Sequence, residues 1–141
     1  MNEPCYYRVS VKGLILDDRG RFVLFREDNG MWDLPGGGLE HGEDPIAGLK
    51  REIGEETGLS VASVHERPAY FTTGPRYLHD TFVANIIYKI TLENLNFTPS
   101  EECQELRFLM VEEARKLPSY PTVGKFLDVF DLHRHLQTKA R

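Results

Sequence analysis

Three glutamates in the middle of the chain, Glu52, Glu55 and Glu56, are spaced so that their carboxylates could act together in catalysis or metal binding. Residues three and four positions apart are neighbours on a helix surface, so these side chains are expected to share one helical face. Like charges at this spacing destabilise a helix unless a cation neutralises them. Closely spaced carboxylate oxygens suit Mg²⁺ or Mn²⁺ rather than zinc or copper. The spacing predicts a divalent-cation site; the alternative is a solvated acidic helix.

The residues around these glutamates predict the helix that must carry them. Asp44 is a good N-cap, and Pro45 fits the first helical position, where a missing N–H group costs nothing. Gly58 can adopt the left-handed conformation that ends a helix. About a quarter turn from the glutamates runs an apolar stripe suited to packing, formed by Ile46, Leu49 and Ile53.

The stretch from residue 37 to residue 59 resembles the Nudix box. The fixed positions of that pattern are all filled, by Gly37, Glu43, Arg51, Glu52, Glu55, Glu56 and Gly58, with apolar residues at positions 53 and 59. The preceding sequence, WDLPGGG, extends the similarity upstream. The resemblance implies an α/β fold, the α/β/α sandwich of the Nudix superfamily, with a mixed sheet and a loop–helix–loop catalytic motif.

Nudix enzymes hydrolyse a nucleoside diphosphate linked to another group, and the resemblance implies the same pyrophosphohydrolase activity here, with Mg²⁺ or Mn²⁺ as the cofactor. Water attacks a phosphorus of the diphosphate. By position in the pattern, Glu52, Glu55 and Glu56 are the implied catalytic and metal-binding residues, and the Gly36 carbonyl is an implied backbone ligand. Glu52 is the first candidate to deprotonate the water. A Nudix-fold domain that binds nucleotides without hydrolysing them is the alternative function.

Other site residues follow from the same resemblance. Glu43 and Arg51 match a pair that braces the loop–helix–loop. Many members use a further carboxylate from a later loop; Glu102 and Glu105 are the candidates here, with Glu102 preferred because Glu105 is nearer the following strand. Both could equally be plain surface acids.

Three further side chains are candidates for substrate binding. Arg26 could reach a phosphate, or be a solvated charge at the end of a strand. Trp32 and Tyr77 could stack on a base, although large aromatic residues are more often part of the core.

The sequence alone does not decide between several substrate classes. Pro75, 16 positions beyond Leu59, resembles the marker of ADP-sugar pyrophosphatases. Tyr77, 18 positions beyond Leu59, resembles the marker of dinucleoside polyphosphate hydrolases. The small size of the chain also fits hydrolysis of nucleoside triphosphates, including oxidised ones.

The amino-acid composition predicts the domain organisation and the class of partner. With 141 residues, 40% hydrophobic and 28% charged, the chain is expected to form a single domain, 1–141. Its net charge of −5 argues against nucleic-acid binding and leaves a small nucleotide as the expected partner. Neither a secretory signal nor a membrane-length apolar run is seen. Cys5 and Cys103 fit reduced thiols of a cytoplasmic protein. We expect a monomer or homodimer, without a membrane partner.

Periodicity predicts the remaining elements. We expect strands at 7–16 and 21–26, joined as a hairpin by the turn at 17–20, and further strands at 61–66, 81–92 and 107–111. Helices are predicted at 112–117 and 122–137, with a frayed tail from 138. The stretch 72–79 is predicted to be a loop.

Overall fold

A computed structural model describes residues 4–136, so the predicted tail lies outside the described residues. The strands are β1 Tyr7–Leu14, β2 Phe22–Arg26, β3 Trp32–Asp33, β4 Gly36–Gly38, β5 Val61–Val64, β6 Tyr70–Pro75, β7 Phe82–Leu92 and β8 Glu105–Leu109. The helices are α1 Pro45–Thr57, α2 Val111–Ala114, α3 Pro121–Val129 and α4 His133–Leu136.

The larger of two sheets is mixed and carries helices on both faces. Its strand order is β4-β1-β7-β5, with β6 also paired to β7, and the β1–β7 pair is parallel while the others are antiparallel. Helix α1 packs through Leu49 and Ile53 on the face that contains Val11. Helix α3 packs on the other face, which contains Leu14 and Ile87. This arrangement confirms the predicted α/β fold with a mixed sheet.

The predicted hairpin between the first two strands is wrong beyond its turn. The turn itself forms, because Gly20 N donates to Asp17 O at 3.0 Å, and one bridge follows between Leu16 and Phe22. The strands then diverge: β1 joins the larger sheet, whereas β2 pairs with β3 and β8 in a second, three-stranded sheet. Both strands are buried on both faces, so each can find partners other than its neighbour in sequence.

The second half of the chain differs from the prediction in two places. Part of the predicted 72–79 loop is strand β6, whose residues alternate between buried and exposed and pair with β7 from Tyr70↔Ile87 to Pro75↔Phe82. The predicted helix at 122–137 is broken after Val129, because Phe130 has an extended backbone with ψ of 125°. Asp131 then accepts a hydrogen bond from His133 N at 3.1 Å and starts α4.

The other predicted elements exist with shifted ends. Strand β8 begins two residues earlier than expected, at Glu105, and α2 is shorter than expected. Among residues 4–136, no helix is long and apolar enough to cross a membrane.

Candidate functional site

Helix α1 is held in place by local signals at both ends and by its apolar stripe. The Asp44 side chain accepts hydrogen bonds from Ile46 N at 3.1 Å and Ala47 N at 3.0 Å. Gly58 ends the helix with φ of 72°. Leu49 and Ile53 are fully buried. This anchoring turns the glutamate face of α1 towards strand β4.

The β4 glycines let the backbone pass directly beside the glutamates. A Cβ atom at Gly37 would lie 2.2 Å from Glu52 Oε1, so any side chain there would displace the carboxylate. Gly36 has φ of 128°, which favours glycine, and its N–H donates to Glu56 Oε1 at 3.0 Å. The glycine run and two of the three glutamates therefore form one unit.

Arg51 supplies the positive charge nearest to Glu52 and Glu55. Its Nη1 lies 3.0 Å from Glu52 Oε2 and 3.2 Å from Glu55 Oε1. The same guanidinium makes a two-point contact with Glu43, at 2.8 and 2.9 Å, which lowers the pKa of Glu43 to about 2. The predicted Glu43–Arg51 pair is thus present, and Arg51 also neutralises part of the acidic face.

Glu56 is in a different environment from the other two glutamates. Burial raises the pKa of Glu56 well above its usual range, although the charge of Lys12 and the hydrogen bond from Gly36 N act in the opposite direction. A carboxylate in this environment is under-neutralised, and a nearby cation would stabilise its charged form.

Lys12 is a buried cation that links this region to a neighbouring cleft. Its Nζ lies 3.1 Å from Asp33 Oδ2 and donates to Gly36 O at 3.3 Å. Burial acts to lower the pKa of Lys12, but the negative charges of Asp33 and Glu56 outweigh it, and the pKa is raised. Lys12 therefore stays protonated beneath the Gly36 carbonyl.

The donors fit a divalent cation by type. Glu52, Glu55, Glu56 and the Gly36 carbonyl are hard oxygen ligands, and the buried Glu56 lacks a full counter-charge. Within residues 4–136, however, no three acidic, histidine or cysteine side chains converge closely enough to form a ligand set. A metal would have to compete with Arg51 for Glu52 and Glu55.

A cleft of about 380 Å³ lies on the α3 side of the larger sheet. Its floor includes Ser10 and Asn85, and its rim includes Tyr77 and Tyr120, whose rings meet edge to face with centroids 5.3 Å apart. Tyr77 therefore lies at the rim of a cavity, and its predicted stacking on a base stays a prediction. A larger cavity of about 700 Å³, next to the turn at 17–20, contains none of the predicted site residues.

One wall of the cleft carries two carboxylates, Glu27 and Asp33. The Tyr120 hydroxyl donates to Glu27 Oε1 at 2.5 Å and accepts from Asn29 Nδ2 at 3.0 Å. Burial, together with the Glu27 contact, raises the pKa of Tyr120 to about 12. Burial also raises the pKa of Glu27. Asp33 lies on the same wall, where it is ion-paired with Lys12 at 3.1 Å, and Arg76 and His79 also line the cleft.

The two later-loop acids have different surroundings. Glu105 lies on β8 and contacts Arg107 at 2.8 Å and Arg26 at 3.4 Å; its pKa is lowered, chiefly by the hydrogen bond from Arg107. Glu102 is exposed in the preceding loop. That loop reaches helix α1, because Ser100 Oγ donates to the Glu56 carbonyl at 3.4 Å.

Two predicted substrate contacts are already engaged within the protein. Trp32 is only 3% exposed, belongs to the core, and has the Arg107 guanidinium 4.8 Å from its ring centroid. Its use as a stacking platform is therefore a wrong prediction, because no free face is left. Arg26 donates to Gln104 Oε1 at 2.9 Å as well as contacting Glu105, so a phosphate would have to displace both partners.

No sequence pattern predicted five of the residues that line the cleft, namely Lys12, Glu27, Asp33, Asn85 and Tyr120. Asp33 lies in the WDLP segment that precedes the glycines, which was a usable signal. Asn85, a polar residue inside the apolar run of β7, was another. Nothing in the local sequence marks Tyr120.

A family model and individual known proteins that resemble this chain point to the same family. A family model described as NUDIX domain matches residues 6–130. A MutT-like protein of Streptomyces ambofaciens is 48% identical over 59 residues, which is 41% of this chain and 38% of that protein. A Mycobacterium tuberculosis protein with the provisional name 8-oxo-dGTP diphosphatase 3 is 31% identical over 100 residues, covering 70% of this chain and 46% of that protein.

The solved structures agree with the sequence relatives. The crystal structure of a MutT protein from Methanosarcina mazei Go1 aligns with a TM-score of 0.75 and 26% identity, over 97% of this chain and 100% of that one. The matches to the two curated relatives above span less than half of each relative's length.

Proposed function

The chain belongs to the NUDIX domain family, and on this basis we propose that it hydrolyses a nucleoside diphosphate linked to another group, in the presence of Mg²⁺ or Mn²⁺. The observation that carries the proposal is the juxtaposition of the α1 glutamates, the β4 glycines and the adjoining cleft. A phosphate chain beside the glutamates and a nucleoside in the cleft would use both parts of the site.

We assign the metal to Glu52, Glu55, Glu56, the Gly36 carbonyl and Glu102; the glutamate side chains would have to move together to bind it. Bound there, the cation supplies charge neutralisation on the phosphate oxygens and a more acidic water. Glu102 is chosen over Glu105 because Glu105 is ion-paired with two arginines, whereas the loop of Glu102 reaches the Glu56 backbone.

The remaining steps belong to the chain's own side chains. Glu52 accepts the proton of the attacking water, the role implied by its position in the Nudix box, and its carboxylate lies beside the backbone of Gly37. Arg51 holds Glu52 and Glu55 in place through Nη1. Lys12 fixes the orientation of the Gly36 carbonyl.

The cleft favours one nucleoside over two. At about 380 Å³ it is near the small end of ligand sites, which suits nucleoside triphosphates or diphosphate sugars better than dinucleoside polyphosphates. Oxidised nucleoside triphosphates are included because the Mycobacterium tuberculosis relative carries such a name.

The test is a substrate panel with added Mg²⁺, scored for phosphate and pyrophosphate release. It contains nucleoside triphosphates, 8-oxo-dGTP, ADP-ribose, a dinucleoside tetraphosphate and a 5′-triphosphorylated RNA. Hydrolysis of a small nucleotide is the expected result. A protein that binds nucleotides but hydrolyses none would favour the binding-module alternative, and preference for the RNA would overturn the expected absence of nucleic-acid partners.

The Glu52→Gln variant tests whether Glu52 is the general base. We expect kcat to fall by about 10²–10⁴, as is typical for loss of a general base. Glu66→Gln is the matched control, because Glu66 is an exposed glutamate away from the site. A Glu52→Gln variant with the parent's rate would remove Glu52 from the chemistry.

We further propose a single domain over 1–141, acting as a monomer or homodimer in the cytoplasm. Cys5 and Cys103 are free thiols, which fits a reducing compartment.

A further inference from the structure

A row of three polar side chains crosses the larger sheet under the cleft. Asn85 on β7 is in register with Ser10 on β1 and with Thr72 on β6. The three residues are 2%, 9% and 8% exposed, respectively, so they lie in the buried layer of the sheet. On the same face of β7, the flanking residues Val83 and Ile87 are apolar. On β7, the polar Asn85 thus lies between two apolar residues, and Lys12 is the next buried polar residue along the same face of β1.

Two of the three side chains in the row have a polar atom without a hydrogen-bond partner among the described residues. Within residues 4–136, Asn85 Oδ1 and Thr72 Oγ1 have no hydrogen-bond partner. Enclosed polar atoms without partners destabilise the folded state, and an apolar residue of similar shape would remove that cost. The folded chain therefore retains an amide that its own packing does not need, and Asn85 belongs to the lining of the cleft.

The surroundings of Asn85 suit an uncharged, flat group. Tyr77 and Tyr120 lie at the rim of the same cleft, and one wall carries the carboxylates of Glu27 and Asp33. A nucleobase is flat and uncharged, and its ring can contact the tyrosine rings. An amide oxygen accepts from an amino or ring N–H group, and the amide nitrogen donates to an adjacent acceptor.

Building on the proposed hydrolase function, we propose that Asn85 selects the nucleobase by pairing its amide with adjacent donor and acceptor groups on the edge of the base. A site built to pair with a polar edge discriminates strongly against a base that lacks the matching groups, because the buried amide is then left unpaired. Asn85 is a specificity-determining residue in the substrate-binding cleft, remote from bond cleavage.

The test combines stability with base preference. Asn85→Leu replaces the amide with an apolar group of similar shape, so its Tm should rise by about 3 °C or more. The parent should prefer one base among nucleoside triphosphates carrying adenine, guanine, cytosine or uracil. Asn85→Leu should raise KM for that nucleotide at least tenfold with kcat nearly unchanged, and should reduce the preference among the four bases to about threefold or less.

Two further variants keep the result interpretable. Thr81→Val is the matched control, because Thr81 Oγ1 is likewise enclosed and unpartnered within the described residues but does not line the cleft. It should raise Tm and leave base preference unchanged. Asn85→Asp keeps the shape of the side chain and removes the amide donors, so it must also alter the preference even if Asn85→Leu folds poorly.

The outcomes separate this inference from the function on which it rests. An active parent whose base preference survives both Asn85 substitutions overturns the inference and leaves the hydrolase function standing. So does a parent that uses all four bases equally. A parent inactive on the whole nucleotide panel refutes the proposed function and this inference with it.

Discussion

Two glycines in helix α1 give opposite expectations for the same substitution. Gly54 is exposed, and a Cβ atom there would meet nothing within 4 Å. Alanine is better than glycine in a helix interior by about 0.8–1.0 kcal/mol. Gly54→Ala should therefore increase the free energy of unfolding by about 1 kcal/mol and Tm by about 3–5 °C.

Gly48 has no such space. A Cβ atom there would lie 2.5 Å from Leu39 Cδ2 and 2.9 Å from Glu43 Oε1. The Glu43 carboxylate cannot move freely, because it is bound to Arg51 at 2.8 Å and to Glu40 N at 3.0 Å. Overpacking costs about 1–3 kcal/mol. After the helix-propensity gain, Gly48→Ala should be about 0–2 kcal/mol less stable than the parent.

Urea unfolding followed by circular dichroism measures both variants under one set of conditions. The slope of the free energy against urea concentration should not change, so that the midpoints report stability directly. Equal stabilisation by Gly48→Ala and Gly54→Ala would refute the reasoning, since it would mean that the loop before α1 yields without cost.

Three further predictions concern metal, substrate and pH. EDTA should abolish hydrolysis and Mg²⁺ or Mn²⁺ should restore it; full turnover in chelator would contradict the metal assignment. Tyr77→Ala should raise KM about tenfold with little change in kcat, as expected for a lost stacking contact, and an unchanged KM would leave Tyr77 a purely structural neighbour of Tyr120. Because the pKa of Glu43 falls from its ordinary 4.5 to about 2 in the folded protein, its ion pair stabilises the fold above pH 4.5 and this stabilisation is lost as pH falls towards 2. Glu43→Gln should therefore lower Tm at pH 7 but not near pH 2; an equal difference at both pH values would contradict the assignment.

Helix α1 could be predicted from the sequence because its determinants are local. The cap at Asp44, the proline after it and the left-handed Gly58 all lie within one or two residues of the helix ends, and each forms as expected. The Glu43–Arg51 contact spans one loop and two turns of helix, and it also forms.

The cleft could not be predicted in the same way because its residues meet through strand pairing. Lys12 reaches Asp33 and Gly36 only because β1 pairs with β4. Asn85 lies beside Ser10 only because β1 and β7 are parallel neighbours, which periodicity does not reveal. The hairpin error has the same origin: the turn signal was local and correct, but the partners of the strands were set by distant residues.

The parallel pairing of β1 with β7 also bears on how the chain folds during synthesis. Tyr7 pairs with Phe82 and Leu14 with Lys89. Strand β1 therefore cannot form this pairing until the chain has been synthesised as far as β7. At about 5–20 residues per second, that wait is on the order of 4–15 s on the ribosome. Until then β1 has only the three residues of β4 as a partner, and one long edge of the strand stays open to other nascent chains. Slower translation between residues 40 and 80 would lengthen this exposure, and we expect it to lower the yield of folded protein.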